Sequence, residues 1–148
     1  MSLLQHLTFI KIGSTGEALP IEATEWDAVH VPELGLMYSA DNVGGKELDE
    51  EEADAACSAL TLGGFTDWVQ PTHRFELEAI LDLSKRGPAI DERLFRNVKN
   101  DWYRTKHAIA GSSGLVWVVD FSYGAVYDYH RGSRCWCRAV RRVSPAGQ

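Results

Sequence analysis

At 148 residues, 45% hydrophobic and 24% charged, the chain has the composition of an ordinary globular domain whose core needs neither a metal nor a disulfide. Three cysteines exclude a disulfide framework, and no apolar run reaches the roughly 18 residues that cross a bilayer. The net charge of −6 is unevenly spread: residues 1–101 carry 19 acidic and 8 basic side chains, residues 102–148 only 2 acidic and 7 basic, which predicts either a basic face on an acidic body or mutual neutralisation in the fold.

Residues 1–24 read as an N-terminal arm. "LTFIKI" at 7–12 alternates enough for a short strand and "GSTGEALP" is loop. Such an arm packs on its own domain or docks on a neighbour. The start, "MSLLQHLTFIKIG", has no basic n-region and no small-residue cleavage site, so no secretory signal is expected. "EWDAVHVPELGLMYSA" predicts two short strands around a turn at Pro32-Glu33.

Two helices follow. "KELDEEEADAACSALTLGG", 46–64, places its carboxylates in the first turns, at the positive end of the helix dipole, and ends at Gly63-Gly64. Its acidic run lacks the spacing of an EF-hand loop and reads as a solvated face. "THRFELEAILDLSKRG", 72–87, carries an apolar stripe of Phe75, Leu77, Ile80, Leu81 and Leu83, with Thr72 as N-cap and Gly87-Pro88 as the stop.

From Pro88 on, short strands and long loops take over. "WYRTKHAIAG" starts as a strand and "LVWVVDF" is the strongest strand of the chain. Ser122-Tyr123-Gly124 predicts a hairpin turn into "AVYDYHR", and Gly132-Ser133 a second turn into a last strand, "RCWCRAVRRV". The expected class is α+β, two helices early and an antiparallel sheet late.

Period-two alternation divides these strands into faces. Trp117, Val119 and Phe121 form an apolar face. Tyr127, Tyr129 and Arg131 lie opposite Val126, Asp128 and His130, and Arg134, Trp136 and Arg138 lie opposite Cys135, Cys137 and Ala139. One reading buries the rings, with arginines shielding their edges. The other is a solvent-facing ligand patch of Tyr123, Tyr127, Tyr129, Arg131, Arg134 and Trp136, residue types that stack on sugars or protein side chains and fork carboxylate or sulfate. Arg138, Arg141 and Arg142 read as structural. Two residues apart on one strand, Cys135 and Cys137 are poorly placed to bridge each other, but either could meet Cys57, so one disulfide or none is expected.

Catalytic signals are absent: there is no G-x-S-x-G, P-loop or H-E-x-x-H pattern, and His73, His107 and His130 have no companion nucleophile at readable spacing. No catalytic residue, metal ligand or cofactor is assigned. A pI near 5.3 without a basic helix argues against nucleic acid.

"GLMYSA" at 35–40, "AACSALTLGGFTDWVQPT" at 55–72, "FELEAILDLSKRGPAIDERLF" at 75–95, "WVVDFSYGAV" at 117–126 and "CRAVR" at 137–141 occur in an order and spacing that resembles the C-terminal domain of the Legionella collagen-like protein, a module of bacterial surface and phage proteins. The resemblance covers about residues 25–142. It departs at Tyr38, where the family has tryptophan, at Val69-Gln70 for Arg-Leu, and at Tyr103-Arg104-Thr105, which replaces Ser-Ser-Thr after Trp102. Ala139 takes the place of the usual closing cysteine, so a staple to Cys57 stays open.

What the resemblance implies is a C-type-lectin-like fold over 25–148, two helices packed on a twisted antiparallel sheet with long loops, used for binding rather than catalysis. Relatives attach to cell-surface glycans, sulfated ones included, and phage members vary aromatic residues in the last strands and loops. Tyr103 and Arg104 join the candidate ligand-binding set. The expected role is a non-enzymatic receptor- or glycan-binding protein of a phage tail or tail fibre, located on the virion or outside the cell. The alternative is a structural virion or surface-assembly protein whose aromatic–arginine face is a subunit interface. Expected partners are a surface glycan or protein receptor, further subunits reached through residues 1–24, and other copies of the chain, but neither nucleic acid nor membrane.

Overall fold

A computed structural model describes residues 7–144. The chain runs β1 (Ile10–Ile12), β2 (Ala18–Leu19), β3 (Ala28–Val31), β4 (Leu36–Ser39), α1 (Glu50–Ser58), α2 (Arg74–Glu78), β5 (Trp102–Ala108), β6 (Leu115–Asp120), β7 (Val126–His130) and β8 (Val140–Arg142). The strands form two antiparallel sheets. One has the order β2-β1-β3-β4-β8 and the other is the meander β5-β6-β7. The architecture is thus mixed α+β and mostly strand.

The first sheet is buried on both faces, and strand parity decides which core each residue enters. Val29, Val31, Leu36 and Tyr38 face a cluster with Leu77, Ile80, Ile90, Phe95, Tyr103, Val119 and Phe121. Ala28 and Met37 point the other way, against Ala53 and Cys57 of α1, Trp68, Cys137 and Ala139. The β3–β4 turn falls where Pro32-Glu33 predicts it, as a 3-10 turn over Pro32–Leu34 closed by Gly35 at φ 63°.

The N-terminal arm packs on its own domain. β1 pairs with β3 through Ile10↔His30 and Ile12↔Ala28 and with β2 on its other side, while Leu7 and Phe9 lie against the first cluster. Residues 1–6 of the expected docking arm lie outside the described residues.

Both helices are shorter than their periodicity predicts, because tertiary pairing takes residues from their ends. Leu48 exchanges backbone hydrogen bonds with Cys135, so α1 starts later. Asp49 is its N-cap, in a capping box with Glu52. The chain then turns back on itself between Leu62 and Phe65, around Gly63-Gly64. In α2 the cap is His73 rather than Thr72: its Nδ1 accepts from Phe75 N at 3.0 Å and Glu76 completes the box. Beyond Glu78 the backbone leaves the helix, since Asp82 N donates to Ala89 O, and Gly87 N and Ala89 N donate to Ser122 and Phe121 carbonyls.

The last strand, read from the sequence as 134–143, shrinks to β8. The segment before it is tied by single bridges to Leu48 and Tyr103, and β8 itself is tied at Val140 to Val69. Alternation holds for Cys135, Cys137 and Ala139, all buried, but fails at Arg138, which is fully buried as well. The predicted Trp117–Val119–Phe121 face is also only partly internal: Val119 and Phe121 are core, whereas Trp117 is half-buried beneath the Arg74 guanidinium, 4.5 Å away.

Candidate functional site

The register of the second sheet assembles the site. Arg104 pairs with Val118 and Val118 with Tyr127, while Val116 pairs with Tyr129. Paired residues point to the same side of a sheet, so Arg104, Tyr127 and Tyr129 share a face with Trp102, two residues before Arg104. On that face Trp102 stacks on Tyr127 with ring centroids 5.2 Å apart and meets Tyr129 edge-on at 4.8 Å. Tyr127 is 41% exposed, and Trp102 and Tyr129 are half-buried. The three rings form a platform open to solvent.

Four candidates from the sequence belong elsewhere. Trp136 bridges Tyr103, whose partners across the sheet are Val119 and Val126. It therefore lies on the opposite face, half-buried against the first cluster with the Lys99 ammonium 5.1 Å from its ring. Tyr123, 65% exposed, sits in the β6–β7 turn, where Ser122 N and Oγ donate to Asp120 Oδ1 and Gly124 N to Asp120 O.

Tyr103 and Arg104 are corrections: they are 0% and 1% exposed and cannot touch a ligand on this surface. Tyr103 packs on Phe121, donates its hydroxyl to Asn42 Oδ1 at 2.6 Å and accepts from Lys99 N at 3.0 Å. Arg104 is an internal anchor. Its guanidinium donates to Gln70 Oε1 at 2.7 Å and to the carbonyls of Ser133 (2.9 Å), Arg131 (3.0 Å) and Leu48 (3.3 Å). A guanidinium in this position satisfies four acceptors from three chain segments at once, which is how it tolerates burial.

Arg131 and Arg134 are at the surface but engaged. Arg131 Nη1 lies 3.2 Å from Glu50 Oε1, and its Nε donates to Ser113 O. Arg134 forks Glu52 through Nε at 3.1 Å and Nη2 at 3.0 Å. The Asp49 backbone N–H and the Arg134 guanidinium together hold the Glu52 carboxyl below its usual range. The same pattern runs along the rest of the C-terminal third: Lys106 pairs with Asp54, Arg141 with Asp67 and Arg142 with Glu76. Arg138 is buried on the carbonyls of Ser39, Ala40 and Arg96 and on Asn42 Oδ1. All seven basic residues of 102–148 are thus engaged internally. Of the two outcomes the charge split allows, the fold adopts mutual neutralisation, and Arg138, Arg141 and Arg142 are structural as expected.

Beside the platform runs an open cleft lined by Asp49, Glu50 and Glu51 at the start of α1, by Gly114, and by His130, Arg131 and Gly132. The Tyr129 and His130 rings, 6.5 Å apart, join platform and cleft. The sequence reading missed Trp102 as a platform member and the α1 carboxylates as the partners of the arginines. Trp102 shares the parity of Arg104, but joining it to Tyr127 needs the register of three strands.

The cysteines are free: the Cys57 and Cys137 sulfurs are 4.0 Å apart and Cys135 is separate. Among the described residues no group of three or more His, Cys, Asp or Glu could hold a metal, and no helix is long and apolar enough to cross a membrane.

A sequence model of the Lcl C-terminal domain matches residues 26–141, from the strand pair β3–β4 through the platform to β8. The chain belongs to the Lcl C-terminal domain family. No curated protein matches it. The Lcl domain is one of bacterial surface proteins, and its match begins after β1 and β2, the strands at one edge of the first sheet.

Proposed function

We propose that this Lcl domain is a non-enzymatic binding module that recognises a surface glycan, with Trp102, Tyr127 and Tyr129 as its contact platform and the α1 cleft as its polar rim. The observation that carries the reading is the platform itself. Three aromatic side chains meet on the outer face of the second sheet and keep part of their surface in water. A pyranose ring presents C–H groups on its flat face, which stack on such rings with little loss of side-chain freedom, while its hydroxyls need acceptors at the edge. The cleft supplies Asp49, Glu50 and Glu51 there.

A C-type-lectin-like reading of the fold agrees with this use. The C-terminal strand β8 returns to pair with β4, and the binding face is carried by the later, hairpin-rich sheet. The setting we infer is a phage tail or tail-fibre tip, or a cell surface, with the chain working as an oligomer. The competing reading keeps the same face but makes it a contact between subunits of an assembly.

The test is a Trp102→Ala/Tyr127→Ala variant, checked for folding by near-UV circular dichroism and for oligomeric state by light scattering. Loss of binding to glycans and whole cells with the assembly state unchanged supports the module. A changed assembly state with no glycan bound by the parent protein favours the subunit interface.

A further inference from the structure

We infer that the platform and the cleft form one trough for an extended sugar chain, with one ring on the aromatic side chains and the following rings in the cleft, and that Gly114 and Gly132 keep the cleft open for them. This rests on the glycan-binding reading above and names its ligand as a stretch of oligosaccharide rather than a single sugar.

The two parts are continuous along one strand face. Tyr127, Tyr129 and Arg131 share the parity that sets that face. Arg131 lines the cleft, and its backbone N–H donates to the Gly114 carbonyl at 2.9 Å, two residues beyond the Tyr129–Val116 pair. From Tyr127 to Arg131 the chain advances about 14 Å at the rise of a strand, more than one pyranose ring spans. The cleft itself measures ≈ 590 Å³, inside the range of roughly 300–1,000 Å³ in which pockets enclose a sizeable ligand.

The cleft glycines carry the argument further. Nine glycines of this chain have φ in the left-handed region, where any other residue is strained. A side chain at Gly13 would collide with the Glu17 carboxyl, 2.6 Å from where its Cβ would sit. Gly114 and Gly132 have neither reason to be glycine. Their φ values lie outside that region, and nothing stands within 4 Å of either Cβ position. Among the described glycines these two alone lack a backbone or packing cause, and both line the cleft. The fold would accept a side chain at either position, but a side chain there would project into space that the trough leaves for a ligand.

The experiment uses the full chain and two ladders, N-acetylglucosamine oligomers and heparin oligosaccharides, each from disaccharide to hexasaccharide, by calorimetry. In the ladder that binds, affinity is expected to rise roughly tenfold or more with length. Gly114→Leu/Gly132→Leu fills the cleft without changing a charge, so it tests space and not electrostatics. With folding confirmed by near-UV circular dichroism, it is expected to hold the disaccharide within about twofold and to remove most of the rise. Gly114→Ala/Gly132→Ala, the milder pair, is expected to remove part of it. Trp102→Ala/Tyr127→Ala is expected to weaken every member roughly tenfold or more. A ladder that is flat in the parent, or a rise that the folded glycine variants leave intact, overturns the inference while the glycan platform stands. If neither ladder binds, or binding survives the aromatic variant, the platform reading fails and the inference with it.

Discussion

Replacing Arg104 with leucine tests whether this residue supports the site or touches a ligand. Its guanidinium is desolvated and donates four hydrogen bonds, to Gln70 Oε1 and to the carbonyls of Leu48, Arg131 and Ser133. Leucine keeps much of the aliphatic volume but strands all four acceptors. Truncating one side of a buried charged network costs about 3–5 kcal/mol, because each abandoned buried acceptor carries a desolvation penalty of about 1–3 kcal/mol that relaxation only partly relieves. Against a domain stability of about 5–15 kcal/mol that loss is large but measurable, by urea denaturation with linear extrapolation. Arg104→Lys keeps the charge, but a single ammonium on a shorter stem cannot span three segments, so an intermediate loss of about 2 kcal/mol is expected. Hydrogen exchange should show the 131–136 backbone losing protection first, since two of the four bonds end there. A loss under about 1 kcal/mol for the leucine variant would refute the anchor and restore Arg104 as a candidate contact.

Two further predictions concern titratable groups. The three thiols should resist a disulfide reagent at pH 8 in the native protein and all three should react once it is unfolded, because burial pushes the Cys135 thiol up to about 11, and the contact with Cys57 together with burial holds Cys137 well above its usual range; a count of one thiol after unfolding would show Cys57 joined to Cys137 instead. The His107 imidazole is held below its ordinary value by loss of solvent first and by His73 and Arg74 beside it, and His30 is lowered by desolvation and Arg141. Protons therefore bind the unfolded chain first, so stability is fully present above the ordinary histidine range and falls as pH drops through it toward the folded values. His107 also accepts Arg74 N through Nδ1 at 3.2 Å and stacks on His73 at 4.0 Å, an arrangement that protonation opposes. Urea midpoints from pH 8 to pH 5 should fall in the parent and fall less in His107→Asn; identical slopes would refute the assignment.

The parts of this fold legible in the sequence are those governed by local chemistry. Pro32-Glu33 set the β3–β4 turn and Ser122 to Gly124 the β6–β7 turn, whereas the helix read from Lys46 begins only after the Asp49 cap. Short-range alternation correctly turned Cys135, Cys137 and Ala139 inward. What failed depends on contacts far along the chain. The stripe over 75–83 looked like a long helix, yet Leu83 is 71% exposed, because the backbone after Glu78 hydrogen-bonds to the end of β6. Tyr127, Tyr129 and Trp136 look like one face on paper. They divide because the 134–138 segment pairs with β5 in parallel through Tyr103, a register that fixes which way Trp136 points and that no local pattern encodes. Arg104 and Arg138 entered the interior for the same reason: each is satisfied by carbonyls from distant segments, and a sequence does not display such acceptors.

The charge split acquires its meaning in this arrangement. Five ion pairs join residues 102–148 to residues 50–76. Each exposed pair is worth about 1 kcal/mol or less, so their role is not chiefly to stabilise the domain. They reinforce joints that the backbone also makes, at Leu48–Cys135 and Val69–Val140: Arg131 and Arg134 draw the turn after β7 toward α1, and Arg141 and Arg142 hold β8 against residues 67–76. With Arg104 beneath, that turn is fixed from inside and outside, and the edge of the aromatic platform is fixed with it. Arg131 and Arg134, which read in the sequence as the charged half of a ligand patch, lie at the surface paired with Glu50 and Glu52 of α1. Beside the rings the surface is lined by the α1 carboxylates Asp49, Glu50 and Glu51 together with His130 and Arg131.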